Sequence, residues 1–162
     1  MILVTGGAFQ GKLEFAQKTY GFTDGWIDGR NCGFAEIREC RGIHHFHEYI
    51  RRLLNLDNSI EDHRLKLPSK EALSETGFFD GFLDDLSALE RRSEAFSDWL
   101  YRKNPDLIIV SNELGYGVVP MEKGDRLWRE TVGRVCTRLA VHSDEVVRVV
   151  CGIGIWLKGE SS

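Results

Sequence analysis

The sequence predicts an α/β domain: a mostly parallel sheet with helices packed on both faces. Three observations carry this reading. Apolar runs of strand length alternate with stretches of helical period, the pattern of a sheet covered on both sides. A glycine-rich loop lies directly between the first such run and the first helix. The 162 residues, 42% of them hydrophobic, 28% charged and only 3 of them Pro, fit one domain spanning 1–162 with a real core.

Residues 1–5, Met-Ile-Leu-Val-Thr, read as a buried parallel strand. Lys12–Tyr20 follows with Leu13, Phe15, Ala16 and Tyr20 at helical spacing, and Gly21 is placed to close that helix. The stretch 21–33 is rich in glycine and reads as loop. Over 43–54, Ile43, Phe46, Ile50, Leu53 and Leu54 share one face of an expected helix. Residues 55–81, with Pro68, read as an irregular excursion. Phe82–Lys103 is the clearest helix, and Asn104-Pro105-Asp106 stops it. A second buried strand is expected at 107–111, then a glycine-rich loop at 112–124 and a helix at about 125–140. A third strand at 145–151 and an edge strand at 155–157 complete the set.

Gly6-Gly7-Ala8-Phe9-Gln10-Gly11-Lys12 matches the pattern G-x-x-x-x-G-K, after a strand and before a helix. In that setting successive backbone N–H groups turn inward to hold phosphate oxygens, and the helix N-terminus adds partial positive charge. Lys12 supplies a full charge at the outer phosphates. The pattern ends in Ser or Thr, whose hydroxyl helps hold magnesium, but here the position is Leu13. Phosphate binding by Gly6 through Leu13 survives that change. Magnesium is expected, with altered protein supports.

The net charge of −4 gives no basic footprint for general nucleic-acid binding. No apolar run approaches a membrane span. The N-terminus lacks the features of a signal peptide, and the four cysteines form no C-x-x-C pair, so a cytoplasmic chain with free thiols is expected.

Asn112 and Glu113 fall where the 107–111 strand ends, facing the ligand crevice of a parallel sheet. They read either as contacts to nucleotide, metal or acceptor, or as ties for their own loop. Arg126 and Arg129, three apart on a helix, would clamp a substrate phosphate or pair with Glu122, Asp125 or Glu130. Arg51 and Arg52 read as solvated surface. His44, His45 and His47 lie within four residues, and three readings stay open. One is a nucleophile at a nucleotide α-phosphate, another a metal set of His44, His47 and Glu48, and the third a solvated helix start. No metal ligand is assigned.

MILVTGGAFQGK at the start and SNELGYGVVP at 111–120 stand with Asp125-Arg126, Trp128-Arg129, Gly133-Arg134-Val135, Leu139-Ala140, Asp144-Glu145-Val146 and Val149-Val150-Cys151-Gly152-Ile153. Together these segments resemble the adenosylcobinamide kinase / adenosylcobinamide-phosphate guanylyltransferase family of cobalamin biosynthesis. The resemblance covers residues 1–20 and 106–158. It implies a RecA-like P-loop NTPase fold, ATP or GTP as nucleotide, a cobinamide-type small molecule as acceptor and a homotrimer. On the enzyme reading Lys12 and Glu113 are the catalytic candidates, His45 is a hypothetical guanylylation nucleophile, and Asn112, Arg126 and Arg129 are candidates at the substrate. The chain departs from the family in its middle. The acidic residue that ends the family's magnesium-supporting strand would fall near His44 or His45, where no carboxylate stands. The segment that bears the family's guanylylated histidine is also shorter here. Two other readings remain: a P-loop nucleotide-binding protein with a regulatory or partner-binding role, and a kinase for another small alcohol.

Overall fold

The computed structural model describes residues 1–55, 75–77, 86–115 and 120–160. Strand β1 (Ile2–Thr5) runs into the glycine loop and then helix α1 (Lys12–Tyr20). Strand β2 (Trp26–Asp28), a short 3₁₀ turn (Glu36–Arg38), strand β3 (Gly42–His44) and helix α2 (Phe46–Asn55) follow. Beyond the excursion come helix α3 (Leu86–Lys103), strand β4 (Ile108–Val110), helix α4 (Lys123–His142), and strands β5 (Glu145–Val150) and β6 (Ile153–Lys158).

The six strands are ordered β2-β3-β4-β1-β5-β6, all parallel except the antiparallel β5–β6 pair. Period-two alternation splits the core. Leu3, Ile43 and Ile109 face a cluster built with Phe46, Tyr49, Ile50, Phe96, Leu100, Val135 and Leu139 from α2, α3 and α4. Val4, Ile108, Val110, Val147 and Val149 face the other way, against Ala16 of α1. The expected α/β fold with helices on both faces is therefore present.

The elements expected near 12–20, 107–111, 125–140 and 145–151 all form. The last strand runs over Ile153–Lys158, and its turn is a two-residue hairpin loop of Cys151 and Gly152, both at positive φ. Two expectations are corrected. The stretch 21–33 contains β2, a strand too short and too rich in flanking glycine to show a period. The helix expected over 43–54 starts only at Phe46, because Gly42-Ile43-His44 pairs with both β2 and β4. Most of the expected excursion at 55–81, the start of its following helix at 82–85, and Gly117 lie outside the described residues.

Candidate nucleotide and metal site

The site forms at the carboxyl ends of β1, β3 and β4, where the adjacent strands β1 and β4 connect onward to opposite sides of the sheet, β1 to β2 and β4 to β5. Gly6 has φ +146°, and a Cβ there would lie 2.4 Å from the Val149 carbonyl oxygen of β5. Only glycine lets the chain turn this close to the adjacent strand. The far end of the loop rests on the β5–β6 turn. The Cys151 N–H donates to Gln10 Oε1 at 2.6 Å and the Gly152 N–H to the Gln10 carbonyl at 2.9 Å. Gly11, at φ +75°, opens α1. Lys12 is buried, and its Nζ reaches back across the loop to the Gly7 carbonyl at 2.5 Å. Burial draws its ammonium below the ordinary lysine value, and the nearby Glu113 carboxylate opposes that shift. Ala8 and Phe9 form the exposed tip, with Phe9 wholly exposed at φ +58°. Gly7 and Leu13 are half-buried.

The loop after β4 is pinned to this glycine loop. The Ser111 N–H donates to the Val4 carbonyl and the Glu113 N–H to the Gly6 carbonyl, each at 3.0 Å. Both oxygens of Glu113 accept from Arg148 of β5, at 3.1 and 3.0 Å. Asn112 faces His47. The Asn112 backbone N–H donates to His47 Nδ1 at 3.3 Å, so Nε2 carries the ring proton. Asn112 Nδ2 is placed 3.1 Å from Nε2, and because two N–H groups cannot bond each other we assign the amide with its oxygen turned to the ring. Burial is the main cause that brings His47 down to about 4, with the charges of His45, Lys12 and Arg30 adding to it. The ring is neutral at pH 7.

The three histidines do not share a helix face. His44 ends β3, His45 turns the corner at φ +52°, and His47 belongs to α2. Consecutive strand residues point to opposite faces. The left-handed backbone at His45 instead brings its ring beside that of His44, with the two Nδ1 atoms 2.7 Å apart. Asp28, at the end of β2 and in register with His44, joins them. Its Oδ1 lies 3.2 Å from His45 Nδ1 and 3.9 Å from His44 Nδ1. Of the three readings left open for the histidines, the grouping of His44, His47 and Glu48 does not form; among the described residues the donor atoms that lie within 4.8 Å of one another belong to Asp28, His44 and His45. Asp28 was hidden because β2 read as loop; the short Trp26-Ile27-Asp28 run before Gly29 was its only trace.

Arg30 clamps Asp28, with Nη2–Oδ2 at 2.6 Å and Nε–Oδ2 at 2.9 Å. Burial alone would raise this carboxyl; the hydrogen bonds from Arg30 and the charges of His44 and Arg30 prevail and hold it at about 2. Gly29 permits the close approach of the β2 and β3 ends, since a Cβ there would lie 2.4 Å from the His45 carbonyl oxygen. Arg52 is not solvated surface: it donates to the carbonyls of Gly29 and Cys32 at 2.9 and 2.8 Å. Arg51 stands over the Trp128 ring and pairs with Asp125.

Arg126 donates to the carbonyls of Pro120 and Met121, and Arg129 to that of Gly115. Of the three carboxylates expected as their partners, Asp125 pairs with Arg51 and Glu130 with Arg134. Arg126 and Arg129 also line a cleft of about 1030 Å³ together with Asn112, Glu113 and Arg134. Burial pushes the Cys40 thiol up to about 12 and Cys136 up to about 11, so neither is a thiolate nucleophile at neutral pH. All four cysteines are free. Among the described residues no helix is long and apolar enough to cross a membrane.

The fold and its glycine loop define an α/β domain of the P-loop NTPase type. A sequence model of the cobinamide kinase / cobinamide phosphate guanyltransferase family matches residues 58–157, and the chain belongs to that family. It is 46% identical over 52 residues to the bifunctional adenosylcobalamin biosynthesis protein CobU of Salmonella typhimurium, covering 32% of this chain and 29% of that one. It is 34% identical over 77 residues to the protein CobP of Pseudomonas aeruginosa that carries the same description, covering 48% and 44%. The Escherichia coli CobU matches over 52 residues at 42% identity, covering 32% and 29%. The chain therefore aligns with less than half the length of these curated relatives. The family match begins after the glycine loop and the Asp28–His44–His45 group, both of which lie outside it.

Proposed function

We propose that this protein is a nucleotide-dependent kinase that phosphorylates a cobinamide-type alcohol with ATP or GTP. The observation that carries the reading is the glycine loop: Gly6 fixed against β5, Gly11 opening α1 and Lys12 lying across the loop. Family membership supports the acceptor class. Backbone N–H groups of Gly7 through Leu13 would cradle the nucleotide phosphates, and Lys12 would neutralise charge on the transferring phosphoryl group. The cleft beside the loop would hold the acceptor, with Arg126 and Arg129 at its phosphate and Asn112 and Glu113 at its floor. Glu113, fixed by Arg148, would order the loop after β4 against Gly6. His45 is placed within the same group of rings, and a guanylyl-transfer role for it rests on the family alone. A homo-oligomer is proposed as well, supported by the exposed Ile153, Ile155 and Leu157 of β6.

Leu13 and the two imidazoles at the end of β3 do not suit magnesium, which prefers an octahedral shell of oxygen ligands. The test is nucleotide turnover with and without cobinamide. Turnover is expected only with the acceptor, and Lys12→Ala should lower it on the order of 10²–10³-fold. Tight nucleotide binding with no acceptor-dependent turnover would favour a binding protein instead, a reading that Leu13 supports.

A further inference from the structure

We propose that Asp28, His44 and His45 form a binding site for one divalent transition-metal ion of the imidazole-preferring kind, such as zinc or cobalt(II). The carboxyl ends of β2 and β3 bring the three donors together, although His44 and His45 are sequence neighbours that an extended strand would separate. His44 Nδ1, His45 Nδ1 and Asp28 Oδ1 lie 2.7, 3.2 and 3.9 Å apart. Three points at those separations fall on a circle of radius about 2.0 Å, the length of a zinc–nitrogen or zinc–carboxylate bond. A tetrahedral ion at that bond length holds its ligand atoms about 3.3 Å apart, so the three separations need change by no more than about 0.6 Å to seat it.

The surroundings fit a ligand set. Asp28 turns Oδ2 to Arg30 Nη2 and Nε, while Oδ1 faces the rings and also accepts from the Arg30 backbone N–H at 3.0 Å and Nε at 3.1 Å. Such contacts orient a ligating carboxylate. The His45 side chain is 37% exposed, which leaves an entry path and open coordination positions. Two nitrogens and one oxygen suit zinc or cobalt(II) and disfavour magnesium. The ring of His47, 5.9 Å from that of His45, links the group to Asn112 beside the glycine loop. The site itself does not depend on the kinase reading.

Cobalt(II) is the probe, titrated into the full chain without nucleotide and followed by its visible ligand-field absorption. One equivalent is expected to bind, with a spectrum of nitrogen and oxygen ligation, and to resist displacement by millimolar magnesium. His44→Gln and His45→Gln should abolish the band, and Arg30→Gln should weaken binding roughly tenfold. His142→Gln, at a ring paired with Asp98 instead, should leave binding unchanged. Paramagnetic broadening of the His44 and His45 ring signals in the unmodified protein tests the same assignment without a variant. The proposal is overturned by no binding, which would mean the rings share only an N–H···N bond. Binding that survives both His→Gln changes, broadening at His142 alone, or displacement by magnesium would overturn it equally. Nucleotide turnover dependent on Lys12 is measured separately, so loss of either reading leaves the other standing.

Discussion

His47 makes the folded protein sensitive to acid, and its environment sets the size of that effect. The side chain is buried at 5% exposure, accepts the Asn112 backbone N–H and stacks against Trp128. Unfolded, it binds a proton near its ordinary value of 6.5; folded, only near about 4. The folded value is depressed, so the unfolded chain takes up the proton first as pH falls. Stability is therefore complete above pH 6.5 and is lost progressively down to pH 4. At 1.36 kcal/mol per pH unit, the difference amounts to about 3 kcal/mol. Urea unfolding between pH 7.5 and 4.5 measures it. His47→Asn keeps an acceptor oxygen near the Nδ1 position but cannot titrate. The volume it removes costs the same at every pH, so only the slope matters. His44, lowered by burial as well, is present in both proteins and its contribution subtracts. The wild type should lose about 2–3 kcal/mol more than the variant over this interval. Asn112→Asp should shrink the loss, because a carboxylate beside Nε2–H favours the imidazolium. Parallel pH curves for wild type and His47→Asn would refute the account.

Two further predictions concern the frame around the site. Gly6→Ala places a methyl group 2.4 Å from the Val149 carbonyl, whereas Gly21→Ala, also at positive φ, meets nothing within 4 Å. Gly21→Ala should cost about 1 kcal/mol and Gly6→Ala roughly 2–4 kcal/mol more in urea unfolding, with nucleotide binding lost in the second only; equal costs would show that φ alone matters. Trp128 donates its indole N–H to the His47 carbonyl at 2.6 Å. Trp128→Phe should lower Tm by roughly 2–8 °C, the effect of about 1–2 kcal/mol, and an unchanged Tm would remove that bond from the account.

Position along the chain and chemistry need not coincide in this site. The family resemblance places an acidic residue at the end of β3, and the chain has His44 there. A carboxylate is nonetheless present, because Asp28 ends the neighbouring parallel strand in register with His44. Lateral pairing puts it about one strand spacing away, roughly 5 Å.

By itself the sequence determined the alternation of strands and helices, the glycine loop between β1 and α1, and the buried character of the run at residues 1–5. These are local features: period, loop chemistry and the steric freedom of glycine are written in contiguous residues. The long amphipathic elements were legible for the same reason. Only the tertiary structure decided that Gly42-Ile43-His44 is a strand, since three residues have no period and their pairing with β2 and β4 is what holds them extended. Only it decided that Asp28 meets His44 and His45, that His47 turns to Asn112, and that Glu113 belongs to Arg148. Those contacts join residues 16 to 65 positions apart, or reverse the direction of a neighbour through one left-handed φ. Sequence spacing carries no information on either, because both follow from which strands lie side by side.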